Sequence, residues 1–418
     1  MMGSAARIAL PVLLAVALST ASCVPAGRLL EASGDSVVEP TVGTLPARTD
    51  ARVLGFEDAE APALAYRDWE LPPLVTLEDY TDNLAAYGQM SGVEHPNAYI
   101  GLLDLHTGRR ELVRKEAVNA ADLWDMCAPR LSDEAIAWEE ITPGEGDDMG
   151  NAGWRLYAAT LDRKALSIGR PILVAEGRTD TIGRPFYGVD GTEVYWANMS
   201  SPFARKARSM PPDTVRSRDL ATGRTRVVHH ASRLIDGFKL SEGTLVTTEL
   251  TSSPVPGKVS PVTAVAVDAR TGKTLRSASL GNGYDLSHFA DYADGWFLWT
   301  EIAEGGGQPI AYAMDPQGHV MLAGYKSANP MISPRFAFCE SFTTTGSPSA
   351  PRQVCQLRGM DLQSRTRFVV ATTYPDTDGM WQTTIAGSRK HALVVGNSML
   401  SVLDDPQCKK TPIRVYRW

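Results

Sequence analysis

Any chemistry in this chain has to be built from seven histidines, five cysteines and 48 acidic residues. His95, His106, His229, His230, His288, His319 and His391 show no H-E-x-x-H spacing, the pattern that sets two imidazoles around one zinc ion. His229 and His230 are adjacent, so on a strand they point to opposite faces and do not share a metal; a surface position is expected for both. There is no C-x-x-C pair, no G-x-S-x-G elbow and no S-x-x-K pair, which leaves zinc, hydrolase and acyl-transfer chemistry without a linear signal. Gly272-Lys273-Thr274 matches the end of a phosphate loop, but Val267 occupies the place of its first glycine. The expectation is no catalytic residue, no metal and no cofactor.

One polar pattern does repeat. Gln89, Glu140, Asn198, Glu249, Glu301, Glu340 and Asn397 follow, two positions on, Tyr87, Trp138, Trp196, Thr247, Trp299, Phe338 and Val395. A spacing of two puts both side chains on one face of a strand, so seven copies predict a ring of strands with one acceptor each. Such a ring has two readings. Its acceptors can satisfy amides where neighbouring units pack, or its carboxylates can hold a cation or work as acid and base. Bracing is the expectation, because the position recurs whether or not its neighbours form a pocket.

The strands that position these acceptors are written into the chain as a repeat. Each unit has two apolar strands, a polar loop, a third strand, a short turn with Asp and often Thr-Gly, and a fourth strand. The turn is clearest at Asp104 with Thr107-Gly108, Asp219 with Thr222-Gly223 and Asp268 with Thr271-Gly272; weaker copies lie at Asp162, Asp315 and Asp361. Glycine is expected at positive φ there, with Asp and Thr bonding nearby amides. Both phases of the repeat count seven, and 36 Gly with 27 Pro suit a turn-rich chain. The predicted fold is all-β: a seven-bladed β-propeller of four-stranded antiparallel blades over residues 51–418. Residues 413–418 read as a third strand, and residues 52–56 resemble a fourth strand such as Arg226-Val227-Val228. They are expected to complete the last blade, so that an N-terminal strand closes the ring and removes an open sheet edge.

Within this repeat, Pro129, Ser132, Asp133, Ile136, Ala137 and Trp138 form a P-x-x-S-D-x-x-I-A-aromatic unit. It resembles the strand-turn-strand unit of TolB-like propellers, the family that also supplies the propeller of prolyl oligopeptidases. Glu134 departs from the usual glycine after the Asp. The resemblance implies an extracytoplasmic binding or scaffold module, or a lid on a hydrolase, and no hydrolase domain is expected after Trp418.

The N-terminal segment reads as an address. Arg7 precedes an apolar run over residues 8–18, then Ser19, Thr20, Ala21, Ser22 and Cys23, which is the layout of a signal peptide over residues 1–22. The run is shorter than the roughly 20 residues of a spanning helix. Ala21-Ser22-Cys23 resembles the end of a bacterial lipobox, although Thr20 stands where Leu is usual. Lipidation of Cys23 is expected, which anchors the chain at the extracytoplasmic face of the cell membrane; cleavage near Ala26 and secretion is the alternative. Residues 23–50 mix Pro, Gly, Ser and acidic residues without period, as a tether does. Cys127, Cys339, Cys355 and Cys408 suit an oxidising compartment. Cys339 and Cys355 lie symmetrically about Ser347 and are expected to form a disulfide across a hairpin, with Cys127 and Cys408 as a weaker pair.

A net charge of -7 removes the electrostatic footprint on which nucleic-acid binding relies. Two second-to-third-strand loops of adjacent blades carry opposite charge: Glu145, Asp147 and Asp148 in one, Arg205, Lys206 and Arg208 in the other. With Glu140, Glu249 and Glu301 they make the candidate binding face. The expected role is binding or scaffolding of a protein, peptide or glycan at the cell envelope. The alternatives are a glycan- or peptide-processing enzyme with acid and base carboxylates on that face, and a structural component of an envelope complex.

Overall fold

The computed structural model describes residues 54–72, 75–89, 99–118, 125–142, 152–179, 183–198, 213–231, 233–250, 260–283, 290–301, 309–325, 327–347, 350–373, 391–396 and 411–418. Every regular element among them is a strand, and the strands form seven sheets in a ring of blades. Blade 1 is Val75–Tyr80, Leu84–Gln89, Tyr99–Asp104 and Arg110–Arg114. Blade 2 runs Asp125–Leu131, Ala135–Thr142 and Gly153–Asp162, with an outer strand in two pieces, Ser167–Ile168 and Ile172–Arg178. Blade 3 is Phe186–Asp190, Glu193–Asn198, Asp213–Asp219 and Thr225–Ala231; blade 4 is Leu234–Ser241, Thr244–Leu250, Ser260–Asp268 and Thr274–Gly283. Blade 5 has Ala290–Ala293, Trp296–Glu301, Ile310–Met314 and Val320–Tyr325, and blade 6 has Ser327–Ile332, Phe336–Ser347, Ala350–Asp361 and Thr366–Thr373. Ala392–Gly396, Thr411–Arg417 and Ala65–Leu71 are the described strands of blade 7.

In blades 1, 2 and 5 the second strand is buried along nearly its whole length, so its sequence is a mostly apolar run rather than an alternating one. Counting from its first residue, the second, fourth and sixth positions face the preceding blade, and the first, third and fifth face the following one. Ile136 and Trp138 of blade 2 thus pack on Leu84 and Ala86 of blade 1, and Ala337 and Cys339 of blade 6 on Trp296 and Leu298 of blade 5. Removing one of these fully buried indoles costs about 3–5 kcal/mol, so each junction carries a sizeable share of the stability.

The predicted turn chemistry holds in six blades. Asp104, Asp162, Asp219, Asp268, Asp315 and Asp361 each accept, on one carboxylate oxygen, a backbone N–H two to four residues on. Gly108, Gly223, Gly272 and Gly318 close these turns at φ 74°, 70°, 74° and 92°; Leu166 and Arg365 have φ 50° and 56° in the turns of blades 2 and 6.

An N-terminal strand does close the ring, but residues 54–56, the described part of the expected segment 52–56, do not belong to it. Ala65–Leu71 pairs antiparallel with Thr411–Arg417, and Arg414 clamps Asp68 at 2.6 and 2.8 Å across the seam. The chain before it is a strap on the outside of the ring: Leu54–Gly55 pairs parallel with the outer strand of blade 5, and Glu57–Asp58 parallel with that of blade 6. Phe56, buried, drops into the layer between those two blades.

The hairpin of blade 6 corrects the disulfide expectation. Its centre lies between Ser347 and Ala350, so Cys339 pairs with Arg358 and Phe342 with Cys355. The two cysteine positions are three residues out of register, about 10 Å along the strand at 3.3 Å per residue, too far for the Cα separation that a disulfide needs.

Candidate functional site

The predicted ring of acceptors is built by strand 2 of each blade, and the structure shows what holds each described carboxylate. In Glu140 and Glu301 the residue two positions back supplies the bond: Trp138 Nε1 donates to Glu140 Oε1 at 3.0 Å, and Trp299 Nε1 to Glu301 Oε1 at 2.8 Å. The recurring spacing of aromatic and acidic residue is therefore a local indole–carboxylate bond made on one strand face. Glu140 Oε1 also accepts the backbone N–H of Val118, from the connection between blades 1 and 2, at 2.8 Å. Blade 4 has Thr247 where the other two have Trp, and the donor comes from elsewhere. Thr247 Oγ1 donates to Glu249 Oε1 at 2.5 Å, and His229 Nε2, on the outer strand of blade 3, lies 2.6 Å from the same oxygen.

Two expectations change here. His229 is not a surface residue; its imidazole is largely buried and links blades 3 and 4. Glu340 is out of phase with the ring. Ser132 N bonds Ala135 O, and Ser333 N bonds Phe336 O, so the two turns start equivalent second strands. Counted from there, Glu340 matches Glu139, on the side facing the following blade, and Ser341 matches Glu140. Glu139 is buried and receives Arg184 in a forked ion pair with contacts of 2.6 to 3.2 Å, a geometry that satisfies a buried carboxylate.

Glu140, Glu249 and Glu301 lie in three different junctions, between blades 1 and 2, 3 and 4, and 4 and 5. The structure does not bring any two of them together. Among the described residues no group of three His, Cys, Asp or Glu side chains is arranged to hold a metal ion. Glu145, Asp147, Asp148, Arg205, Lys206, Arg208 and Cys23 lie outside the described residues.

The two faces of the ring differ. On the face carrying the first-to-second and third-to-fourth strand turns, arginines reach across blade boundaries to carbonyl oxygens. Arg109 donates to Lys164 O and Ala165 O at 3.0 and 2.8 Å, Arg218 to Leu173 O at 3.0 Å, and Arg226 to Ala269 O at 2.9 Å. Arg276 bonds Asp315 O at 2.9 Å and Arg110 bonds Glu70 O at 2.7 Å. The motif over Pro129 to Trp138 belongs to this lattice. Ser132 Oγ accepts the N–H groups of Glu134 and Ala135 and donates to Gly191 O of blade 3 at 2.6 Å, while Asp133 receives Thr81 Oγ1 of blade 1 at 2.6 Å. One turn thereby fastens three consecutive blades. The opposite face is where the second-to-third-strand loops and the blade connections leave the strands. A groove of about 480 Å³ at the outer rim, between the closing strand and the outer turn of blade 1, is lined by Asp68, Trp69, Glu70, Gly108 and Arg110. It lies away from the face to which the sequence points.

No known family profile matches the chain, and no curated protein matches it. Solved structures do overlap it. TolB from Acinetobacter baumannii is 14% identical, with 83% of this chain and 80% of that one covered, at a TM-score of 0.35. The tricorn protease is 12% identical over 82% of this chain and 34% of its own, at 0.45. Acylaminoacyl peptidase from Pyrococcus horikoshii is 8% identical, at 0.43, and this chain covers 42% of it and is itself covered over 65%. The chain thus spans about two-fifths of that peptidase. The overlaps are loose, and the propeller assignment rests on the seven sheets and their strand order.

Proposed function

We propose that this chain is an exported, lipid-anchored binding or scaffold module that engages a protein, peptide or glycan partner at the cell envelope through the face bearing its second-to-third-strand loops. One observation carries the reading: the short-turn face spends its arginines and aspartates on links between blades, so the longest and most charged connections, on the other face, are the segments a rigid ring presents to a partner. Binding through the charged loops predicts salt-sensitive capture. Replacing Arg205, Lys206 and Arg208 with Ala should leave the melting temperature within about 1 °C, because on this reading their charges serve the partner and not the ring, and should weaken partner capture from intact cells by tenfold or more. Capture that survives this change counts against the loop face. Anchoring through Cys23 is tested separately: Cys23→Ser should move the protein from the membrane fraction to the medium or stall its processing.

The enzyme reading requires two ring carboxylates in one pocket with a basic group nearby. Glu249 has His229 beside it, but Glu140 and Glu301 stand in other junctions. Binding is therefore the better supported reading.

A further inference from the structure

Outer edges of this ring take added strands. Leu54–Gly55 pairs parallel with the outer strand of blade 5 and Glu57–Asp58 with that of blade 6. Phe56, between them, is buried in the layer between the two blades, and Arg367 of the covered strand donates to Asp58. Blade 7 differs: its outer strand, Ala65–Leu71, pairs with Thr411–Arg417 on one side, and no described strand pairs with its other edge. The register fixes what that edge presents, because in an antiparallel pair alternate residues turn both N–H and C=O to the partner and those between turn both away. Trp418 N bonds His391 O, so Trp418, Tyr416 and Arg414 turn to the first described strand of blade 7. Arg417, Val415 and Ile413 then turn to Ala65, Arg67 and Trp69, which leaves Tyr66, Asp68 and Glu70 turned outwards. Two contacts agree with this phase: Glu70 stands opposite Pro412, which has no N–H to give, and Glu70 O accepts Arg110 Nη1 of blade 1 at 2.7 Å.

Beside this edge lies the rim groove of about 480 Å³ lined by Asp68, Trp69, Glu70, Gly108 and Arg110. Its groups narrow the occupant. The Trp69 indole packs on Gly108, where a Cβ would stand 2.2 Å from it, donates Nε1 to Leu105 O at 3.3 Å, and has the Arg67 guanidinium over its ring. It is a wall of the groove rather than a platform on which a sugar stacks. Asp68 is neutralised by two bonds from Arg414. Arg110 makes one hydrogen bond among the described residues, to Glu70 O, and a guanidinium carries five N–H donors. Arg67, Arg110 and Arg414 outnumber Asp68 and Glu70 around the strand, so the charge left for a ligand is positive. An open strand edge with a cation beside it suits an extended acidic peptide.

We propose that the outer edge of blade 7 docks an extended acidic segment of a partner protein, which adds a strand along Tyr66 and Asp68 and sets a carboxylate on Arg110 in the groove. Main-chain bonds give such a site its affinity, and the arginine gives it its preference for acidic residues. The strap of a second copy is not the occupant, since the strap is already paired with blades 5 and 6 of its own ring and holds Phe56 buried there. The site lies on the rim and does not depend on the loop-face reading of function.

The experiment follows the fluorescence anisotropy of a labelled peptide of residues 54–60, an acidic sequence that pairs with outer edges of this ring, as the full chain is added. Saturable binding is expected, weakened by about tenfold or more in Arg110→Ala and in Tyr66→Pro, the loss that goes with one charge-assisted bond or one main-chain bond at a docking edge. Proline at 66 removes an N–H turned away from Thr411–Arg417 and so leaves the ladder intact; Tyr66→Ala removes the ring, keeps the N–H and should change binding by less than about threefold. On the parent chain, which needs no variant to fold, a peptide carrying Glu57→Lys, Asp58→Lys and Glu60→Lys should bind about tenfold more weakly or worse. No saturable binding, equal binding of the two peptides, unchanged binding in Arg110→Ala, or an equal loss in Tyr66→Ala and Tyr66→Pro overturns the proposal. Sedimentation of the chain alone tests the source of the segment: a monomer at all concentrations supports a partner protein, and a dimer that Tyr66→Pro abolishes overturns that assignment in favour of a second copy.

Discussion

At the residue scale, the motif over Pro129 to Trp138 is explained by what Ser132 and Asp133 touch. The hydroxyl of Ser132 accepts two turn amides and donates to the next blade, and Asp133 accepts from the previous one. The same residue types would serve any ring whose blades must hold their neighbours, so the motif reports architecture. Ser132→Ala removes three bonds made by one buried hydroxyl and should cost about 2–3 kcal/mol in urea unfolding; a loss under 0.5 kcal/mol would show that the turn holds without it. Legibility in the sequence follows the range of the interaction. The Trp138–Glu140 and Trp299–Glu301 pairs are visible because both partners lie two residues apart on one strand. His229 reads wrongly as a surface residue because its partner, Glu249, is twenty residues away on the next blade, and nothing linear marks the contact. Glu340 falls into the ring pattern because Phe338 imitates the aromatic that precedes the true position; only the turn at Ser333 sets the count.

At the element scale, the Asp turns are fully legible, since each bonds its own amides. Gly223→Ala, at φ 70°, should cost about 1 kcal/mol and leave the fold intact. The closing strand is not legible. Six of the seven residues of Ala65–Leu71 are at least partly exposed, with Tyr66 61% exposed, so it lacks the apolar alternation of a strand and reads as loop. Residues 52–56 instead resemble the fourth strand at Arg226-Val227-Val228, and that likeness points to the wrong closure, since Phe56 is buried between blades 5 and 6. The two parts should differ sharply when cut away. A chain starting at Ala61 loses two short parallel pairings and the Phe56 side chain, a change worth about 3–5 kcal/mol, and should still fold. A chain starting after Leu71 loses the outer strand of blade 7, including the Arg414–Asp68 clamp, and exposes an edge; it should aggregate. Equal melting temperatures for the two truncations would mean that Ala65–Leu71 does not close the ring.

At the scale of the whole molecule, two sets of carboxylates pull stability in opposite directions with pH. Asp58, Asp68 and Asp268 lie on the strap, the closing strand and the outer turn of blade 4. Their pKa values are held down by hydrogen bonds from Arg367, from Arg414 and from Thr271 respectively. A depressed carboxylate contributes stability that is present above the unfolded value, about 3.9, and is lost as pH falls through the lower folded value. Acid should therefore loosen the strap, seam and turn together below about pH 4. Glu78 does the reverse. It sits buried in the innermost strand of blade 1, where burial pushes its pKa to about 7 and Asp79 adds to the rise, against a partial offset from Arg130. A raised carboxyl favours folding fully below its unfolded value, and that contribution disappears as pH climbs through 7, because the unfolded chain ionises first. Glu78→Gln removes the titrating proton without changing the shape. The variant should match the parent in urea unfolding near pH 4.5 and exceed it by roughly 3 kcal/mol at pH 8, at about 1.4 kcal/mol for each tenfold change in proton affinity. Stability curves for parent and variant that stay parallel from pH 4.5 to 8 would show that Glu78 is already ionised in the folded ring.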